Sequence, residues 1–410
     1  MNSVTDELAW LSSLRPRPSV PVSSANNELP AGSTELLRLL DGECRTNTMG
    51  NHIRVRKIFS QPVVEPLDFG ALRLVHSGPV EALEDPQKWL FLDTETTGLA
   101  GGTGIYAFLV GLAWWEGEKF VVEQYFMRDH REEASMLLGV SERLARRTMM
   151  VSFNGKSFDW PLLQTRFQIR RLKIDEEFWA HLDLLHPARR LWRLCCGSVA
   201  LVNLEKHILG IDRGPDPPSE TIPRKYFEFL RGGPPDEIVE VFHHNQKDLC
   251  GLAHLLLHMV KILSDPERCA CRAGELYGVS QLLHKRGEAC RAEKMYRRAL
   301  SSGLPREVEP VACRELAILA KRAGNFELSN SLWEKLLDDP GEWLRAYEQL
   351  AIYYEHYTDL PGKAAALCRE ALRKLQEAFH AGRIPQRRYH NCYESFHRRL
   401  SRLTAKLAER

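Results

Sequence analysis

Long apolar runs are missing from this sequence of 410 residues. None approaches the roughly 18 consecutive apolar residues that a helix needs to cross a bilayer. The first residues also lack the basic stretch and apolar core of a secretory signal. The sequence therefore predicts a protein without membrane contact, and we expect it in the cytoplasm.

A strong net charge is also missing, because the formal charge is only +2 at pH 7. A chain with so little charge has no global field that collects a polyanion, so a nucleic-acid partner would need a local basic surface. The hydrophobic share of 44% is ample for buried cores. This length predicts two or three domains.

Metal-binding cysteine motifs are a third absence. The ten cysteines are scattered, and the close groups are Cys195-Cys196 and Cys269-x-Cys271. Neither has the spacing of a zinc ribbon or finger. We therefore expect reduced thiols, as in a cytosolic protein, rather than a cysteine metal site.

The N-terminal part has two sections of different character. Residues 12–34 are rich in Pro, Ser, Asn and Gly without periodicity, and we interpret residues 1–34 as a disordered arm. Residues 35–80 hold short alternating stretches such as 53–58. This section is predicted to be a short β extension of the domain that follows.

Strand and helix signals mix between residues 81 and 265. An apolar run at 89–92 precedes two β-rich runs, 105–115 and 120–127, which Glu116-Gly117 joins into a predicted hairpin. The remaining predictions are helices at 131–147, 159–171 and 236–263, a strand at 149–153 and a long loop at 212–235. This order is typical of an α/β layer fold.

An internal repeat of helical character occupies residues 270–410. Its three copies are Gly287, Ala292, Tyr296, Ala299; Gly324, Ser329, Trp333, Leu336; and Asp359, Ala364, Cys368, Ala371. Small residues where helices cross and large ones a turn later are typical of stacked helix pairs. The pattern resembles tetratricopeptide repeats and predicts an all-α domain with a basic C-terminal end.

An acid pair at the end of a strand is the first candidate for chemistry. Asp93 and Glu95 follow the apolar run at 89–92, and the strand period of two places them on one face. Buried acids are costly unless they are neutralised, and Mg²⁺ or Mn²⁺ would do so through carboxylate oxygens. The alternative is a pair of solvent-facing acids at a strand end.

Two further motifs carry acids. Asp159 stands where a helix is predicted to begin, and the alternative is an ordinary N-cap before Trp-Pro. His244 and Asp248 are spaced i, i+4 on a predicted helix, so they share a face. They are compatible with a metal ligand beside a general base, and equally with a surface His-Asp pair.

Together the motifs resemble the DEDD exonuclease superfamily and, within it, the YprB-type RNase H-like family. The resembling segments are Asp93-Thr-Glu95-Thr-Thr-Gly98, Asn154-Gly155 with Phe158-Asp159, Asp183-Leu-Leu-His186 with Arg189-Arg190-Leu-Trp192, and His244-Asn245 with Asp248. The resemblance covers roughly residues 81–265. It implies an α/β fold, an RNase H-like mixed sheet flanked by helices, ahead of the all-α helical-repeat domain.

The resemblance also implies roles for individual residues. Asp93, Glu95, Asp159 and Asp248 would hold two divalent ions, Mg²⁺ or Mn²⁺. The base would be His244, as in the tyrosine subclass position, or His243, as in the histidine subclass position; we favour His244 because Asn245 follows it. The substrate-binding residues would be Thr96, Thr97, Leu99, Asn154 and Phe158.

Five arginines and a tryptophan are a candidate for nucleic-acid contact. Arg170, Arg171, Arg189, Arg190 and Arg193, with Trp192 between them, could bind phosphates and stack a base, or form a solvated helix face. For Asp183 and His186 we expect structural hydrogen bonds rather than metal ligation.

The predicted function is that of a metal-dependent 3′→5′ exonuclease acting on single-stranded nucleic acid ends by two-metal phosphodiester hydrolysis. The alternative is a catalytically inactive nucleic-acid-binding or scaffold protein whose helical repeats bind a protein partner. An endonuclease of the same fold is disfavoured, because an Asp-x-Glu on the first strand differs from the acid placement of such enzymes. The sequence does not distinguish DNA from RNA.

Overall fold

The structure is a computed structural model that describes residues 32–63, 67–76, 78–98, 104–145, 147–174, 180–269 and 272–408. Most of the predicted N-terminal arm lies outside these residues. Its last two residues, Ser33 and Thr34, are helical rather than disordered.

The described residues form seven strands and fifteen α-helices. The strands are β1 (Glu43–Asn47), β2 (Gly50–Phe59), β3 (Trp89–Thr96), β4 (Ala107–Glu116), β5 (Lys119–Phe126), β6 (Met149–Ser152) and β7 (Ala180–Asp183). The helices up to the end of the sheet region are α1 (Ser33–Leu40), α2 (Phe69–Val75), α3 (Glu133–Leu144), α4 (Asp159–Ile169), α5 (Leu185–Cys196), α6 (Leu201–Leu204), α7 (Ile222–Leu230) and α8 (Asp236–Ser264). The remaining helices are α9 (Ala273–Lys285), α10 (Ala289–Ser301), α11 (Glu309–Arg322), α12 (Phe326–Lys335), α13 (Trp343–His356), α14 (Pro361–His380) and α15 (Gln386–Ala408).

All seven strands belong to one mixed sheet in the order β1-β2-β5-β4-β3-β6-β7. Neighbouring strands are antiparallel from β1 through β2, β5 and β4 to β3. Strands β3, β6 and β7 run parallel to one another. The predicted β extension is thus an edge hairpin of the main sheet, since residues 53–59 pair with residues 120–126. The mixed sheet with its helices, followed by an all-helical region, confirms the predicted fold class.

The predicted loop at 212–235 is the clearest error in the element assignment, because it contains α7. A proline in the first turn of this helix is favourable, as its missing N–H needs no partner there. Tyr226 of α7 stacks on Phe108 with ring centroids 4.0 Å apart, so the helix covers the sheet. Burial of such an apolar face, which the Pro- and Gly-rich flanks conceal in the sequence, stabilises the helix.

The 29-residue helix α8 carries the last of the three acid-bearing motifs across the sheet. Its first half packs against β3 and β4, which brings His244 and Asp248 over the strand that holds Asp93 and Glu95. Its second half, including Leu256 and Met259, is buried in the core cluster that continues into the C-terminal helices. Helix α8 therefore connects the acid-bearing strand to the helical region.

The C-terminal helices pack as successive pairs, α9 with α10, α11 with α12 and α13 with α14, and α14 also packs against α15. The last three residues of each copy of the repeat are buried. They lie in the second helix of a pair or directly after it. Gly287 and Gly324 adopt positive φ angles of 81° and 76° in two of the turns, where glycine is favoured. No described helix has both the length and the apolar character that would let it cross a membrane.

Helix α9 approaches α5 so closely that their backbones touch. A Cβ atom at Gly278 would lie 2.4 Å from the carbonyl oxygen of Arg190. Trp192 Nε1 donates a hydrogen bond of 3.0 Å to Glu275 Oε1, and the Trp192 side chain is 0% exposed. The interpretation of Trp192 as a base-stacking residue is therefore wrong; it anchors the helical region to α5.

Candidate active site

The candidate site lies at the edge of the sheet where the parallel strands end. Asp93 and Glu95 belong to β3, Asp159 begins the helix after β6, and Asp183 ends β7. The pairing of β3 with β4 shifts register between Glu95 and Thr96. Such irregularities redirect side chains and are common beside active sites.

Asp93 is held by an amide network that spans three elements. Asn245 Nδ2 donates to Asp93 Oδ2 at 2.7 Å, and Gln124 Nε2 donates to Asn245 Oδ1 at 2.8 Å. Gly111, opposite Asp93 on β4, leaves the room for this network, since a Cβ there would lie 2.2 Å from Asn245 Oδ1. The network orients the Asp93 carboxylate from the side of α8.

Glu95, His244 and Asp248 form a compact cluster. One potential ligand atom from each lies within 4.8 Å of the others. His244 Nε2 is 3.4 Å from Asp248 Oδ2, and His244 Nδ1 is 2.9 Å from Asp216 Oδ2. His244 is buried whereas the neighbouring His243 is exposed, so His244 is the histidine at the acids.

Arg213 contacts the cluster through Asp248. Its Nη2 atom lies 2.6 Å from Asp248 Oδ1. The same guanidinium makes two hydrogen bonds to the buried Glu205, one of 2.6 Å from Nη2, and its Nη1 lies 3.3 Å from Asp216 Oδ2. Arg213 thus engages one oxygen of Asp248 and leaves Oδ2 facing His244.

Asp159 approaches the site from the other side of β3. Helix α4 begins at Asp159, and Phe158 occupies the cap position. The alternative of an ordinary N-cap is therefore wrong. The carboxylate instead accepts a 2.5 Å hydrogen bond from Thr94 Oγ1, which fixes it beside the strand of Asp93 and Glu95.

Burial raises the pKa of three of these acids, and repulsion from neighbouring acids of the site adds to it for Asp93 and Glu95. The pKa of Asp93 is raised well above its ordinary value by burial and then by the charges of Asp248 and Asp159. The pKa of Glu95 is raised likewise, by burial and then by Asp93 and Asp248. Burial raises the pKa of Asp159 to about 6. Burial is the main cause of all three raised pKa values, and neighbouring carboxylates add to it for Asp93 and Glu95.

These observations test whether a divalent ion fits the site. Converging carboxylate oxygens are the donors that Mg²⁺ and Mn²⁺ prefer, and an added cation would relieve the repulsion. Glu95, His244 and Asp248 lie close enough together to hold one ion, while Asp93 and Asp159 lie outside that three-residue cluster. The donor set therefore fits a hard cation centred on Glu95 and Asp248, with Asp93 and Asp159 electrostatically coupled to it.

The predicted substrate-binding residues take up different positions. Thr96 and Thr97 fasten the end of β3, through Thr96 Oγ1 donating to Gly98 O at 2.9 Å and Tyr106 N donating to Thr97 Oγ1 at 3.0 Å. Asn154 is exposed at a positive φ of 68°, and Phe158 is half-buried. Leu99 lies outside the described residues.

Asp183 has the structural role that the sequence predicted. It is buried and accepts backbone hydrogen bonds from Asn154 at 2.8 Å, Lys156 at 3.1 Å and Leu185 at 3.0 Å. This carboxylate shapes the loop before Asp159. His186 is exposed, and its ring makes no hydrogen bond within the described part of the chain, so the expected structural bond is wrong for that residue.

Sequence reasoning missed Glu205, Arg213 and Asp216. Arg213 and Asp216 stand in a stretch dominated by Pro, Gly and Asp, where isolated charges resemble solvated loop residues. Their partners Asp248 and His244 are more than 25 residues away in sequence, so no local periodicity links them. An arginine between two acids in a proline-rich connection was the available signal.

Gly251 on α8 allows a test of the contact between Glu205 and Arg213. A Cβ atom at Gly251 would lie 1.5 Å from Glu205 Oε1. We expect Gly251→Ala to displace Glu205, to release Arg213 from Asp248 and to destabilise the fold by about 1–3 kcal/mol through overpacking. Urea unfolding monitored by circular dichroism measures this change.

Gly362→Ala is the matched control, because Gly362 also lies in a helix and a Cβ there meets nothing within 4 Å. It should be neutral or stabilising by up to about 1 kcal/mol. Equal stability of the two variants would contradict the role assigned to the Glu205 contact.

Comparison with known proteins identifies the class. The family described as the RNase H superfamily matches residues 90–260, which include Asp93, Glu95, Asp159 and Asp248. This superfamily contains nucleases, which generally use divalent metals, so membership indicates nucleic-acid cleavage.

A relative places the chain more narrowly. It is 34% identical over 286 residues to "Uncharacterized protein YprB" from Bacillus subtilis (strain 168), over 69% of this chain and 68% of the relative. The chain belongs to the family of this relative, and its residues 90–260 match the RNase H superfamily. A solved structure, that of the family B DNA polymerase from the hyperthermophilic archaeon Pyrobaculum calidifontis, is similar with a TM-score of 0.36 and 14% identity, over 58% of this chain and 29% of the polymerase chain.

Proposed function

We propose that the chain is a 3′→5′ exonuclease of the DEDD type, acting on the ends of single-stranded nucleic acid with two Mg²⁺ or Mn²⁺ ions. The observation that carries this proposal is the cluster of Glu95 and Asp248 with His244, in which one potential ligand atom of each residue lies within 4.8 Å of the others. Burial and then the charges of Asp248 and Asp159 raise the pKa of Asp93, which is half-buried by its accessible surface. This repulsion among carboxylates supports a shared site for a cation.

Asp93, Glu95, Asp159 and Asp248 are the proposed ligands. When bound, the ions would activate a water molecule and neutralise charge that develops on the phosphate. The protein's own part is orientation: Asn245 holds Asp93 and Thr94 holds Asp159. Such supporting hydrogen bonds fix ligand geometry in metal sites.

His244 is the proposed general base. A neutral imidazole whose Nδ1–H donates to Asp216 presents Nε2 as an acceptor. That nitrogen faces Asp248 and Glu95, where it can take a proton from the attacking water. Asp216 is then a positioning residue, comparable in arrangement to the acid that orients a catalytic histidine elsewhere.

The substrate end would enter beside the strand end and the loop before α4. We propose contacts with Thr96, Thr97, Leu99, Asn154 and Phe158. Gly155 keeps this loop close to β6, because a Cβ there would lie 2.5 Å from Ser152 Oγ.

For the helical region we propose tetratricopeptide-like repeats over residues 270–410, following a nuclease domain over 81–265. The buried small and large residues at equal offsets support this assignment. Repeats of this architecture present extended surfaces that bind partners, which makes a protein partner a further proposal.

A cleavage panel tests the proposed direction and substrate. The probes are single- and double-stranded DNA and RNA oligonucleotides, labelled at either end, with Mg²⁺ or Mn²⁺ titrated from zero. We expect a 5′ label to give a ladder of successively shorter single-stranded products and a 3′ label to be released at once as a mononucleotide. A chelator should abolish both signals.

Two outcomes would contradict the proposal. Early products of internal length from both labels would indicate an endonuclease. Absence of metal-dependent cleavage of every probe would favour the alternative of an inactive nucleic-acid-binding or scaffold protein.

A further inference from the structure

A groove lies on the surface between the sheet region and the helical region, on the side of α5. It has a volume of about 630 Å³ and lies between α5, the end of α2, α9 and the start of α11. Cationic side chains line both walls: Arg189, Arg190 and Arg193 on α5, with Lys285 and Arg286 at the end of α9. Glu307 is the one acid among the described residues that line it.

The α5 arginines lack the carboxylate partners that other arginines have. Arg189, Arg190 and Arg193 are exposed, and within the described ranges none forms a salt bridge. By contrast, Arg166 and Arg213 are each fixed by buried acids. Exposed arginines grouped without acids create a local positive potential, which the net charge of +2 does not reveal.

The groove runs along α5 toward the candidate active site. Only one residue separates the end of β7, at Asp183, from the start of α5. The exposed face therefore begins with His186 at the catalytic edge of the sheet and extends about 10 Å along the helix to Arg193.

Positive charge continues from the groove to the acids. Arg286 Nη2 donates a 2.6 Å hydrogen bond to His76 O. The backbone N–H of the exposed Lys156 donates a 3.1 Å hydrogen bond to Asp183, two residues before α5 begins. Lys156 belongs to the loop that Asp183 holds directly before Asp159.

We propose that this groove binds the phosphodiester backbone of a single-stranded nucleic acid, on the 5′ side of the end that reaches the acids. This inference rests on the proposed function. The planar guanidinium of arginine pairs with phosphate in two-point geometry. Leu194 is exposed on the wall formed by α5 and adds aliphatic surface beside the arginines.

The test removes the α5 charges together. The variant Arg189→Gln/Arg190→Gln/Arg193→Gln and the wild type are compared by fluorescence anisotropy with a labelled single-stranded oligonucleotide in a chelator, at several salt concentrations. We expect binding at 0.1 M salt to weaken on the order of tenfold or more, and the log–log salt slope to fall by about 2 for three lost phosphate contacts.

The matched control is Arg231→Gln/Arg322→Gln/Lys335→Gln, which removes the same charge from exposed positions outside the groove. It should bind as the wild type does, and thermal unfolding should show both variants folded. Equal weakening in the two triple variants, or none in the α5 variant, would overturn the groove assignment. So would displacement of the oligonucleotide by an equally charged polyglutamate peptide at the same concentration.

Hydrolysis of thymidine 5′-(p-nitrophenyl phosphate) separates this inference from the proposed function. This small ester reaches only the acids, so the α5 variant should hydrolyse it with Mn²⁺ at the wild-type rate while degrading the oligonucleotide more slowly. A wild type that hydrolyses neither probe would contradict the proposed function, and the binding comparison in chelator would still decide the groove.

Discussion

Asp93→Asn is expected to lower metal-dependent cleavage on the order of 1000-fold while leaving the fold as stable as before or more stable. The substitution removes a proposed ligand charge at the point where charge develops in the reaction. The raised pKa of Asp93, caused by burial and then by Asp248 and Asp159, means that its charge destabilises the folded state. Neutralisation therefore relieves repulsion, and the amide can still bond to Asn245.

Cleavage of a labelled oligonucleotide and thermal unfolding in chelator measure the two effects separately. Asp338→Asn is the control, because the Asp338 side chain is 93% exposed beside Lys374; it should change neither quantity. Cleavage within tenfold of the wild type would remove Asp93 from the site. A large loss of stability would show that the charge has a structural role instead.

His244→Gln is expected to reduce the cleavage rate by about 100- to 10,000-fold, the usual contribution of a positioned general base. Glutamine can still hydrogen-bond to Asp216, but it does not accept a proton near neutral pH. The neighbouring His243→Gln is the matched control, since His243 is exposed on the same helix. Single-turnover rates at saturating metal separate this loss from weaker binding.

The pair of histidine variants also decides between the two candidate positions for the base. Loss of activity in His243→Gln with a normal rate in His244→Gln would reverse our assignment. Asp216→Asn should give a smaller loss than His244→Gln, because Asp216 acts only through the orientation of the imidazole. An equal loss in Asp216→Asn would assign it a direct part in the reaction.

Much of the acid site was accessible from the sequence because its spacing is local. Asp93 and Glu95 follow an apolar run, and strand periodicity places them together. His244 and Asp248 share a face through helical periodicity. The two pairs come together because α8 packs across β3 and β4. Local periodicity does not indicate this long-range contact.

The parts that sequence reasoning missed depend on long-range contacts. Helix α7 is stabilised by Tyr226 stacking on the sheet, and its proline-rich flanks predicted a loop. Arg213 gains its role from Glu205 and Asp248, which distant segments supply. Both sequence-based alternatives for Trp192, base stacking and a solvated helix face, assume exposure, because the sequence around it does not indicate the distant Glu275 to which it donates a hydrogen bond.

The backbone contact at Gly278 removes the usual freedom between neighbouring units of a chain. Domains that move independently meet through modest, side-chain-rich interfaces, whereas here a carbonyl oxygen on α5 fills the space of a missing Cβ on α9. The core cluster runs without interruption from Trp89 on β3 to Leu350 on α13. Severing the chain between α8 and α9 would yield two incomplete cores instead of a nuclease and a separate helical array.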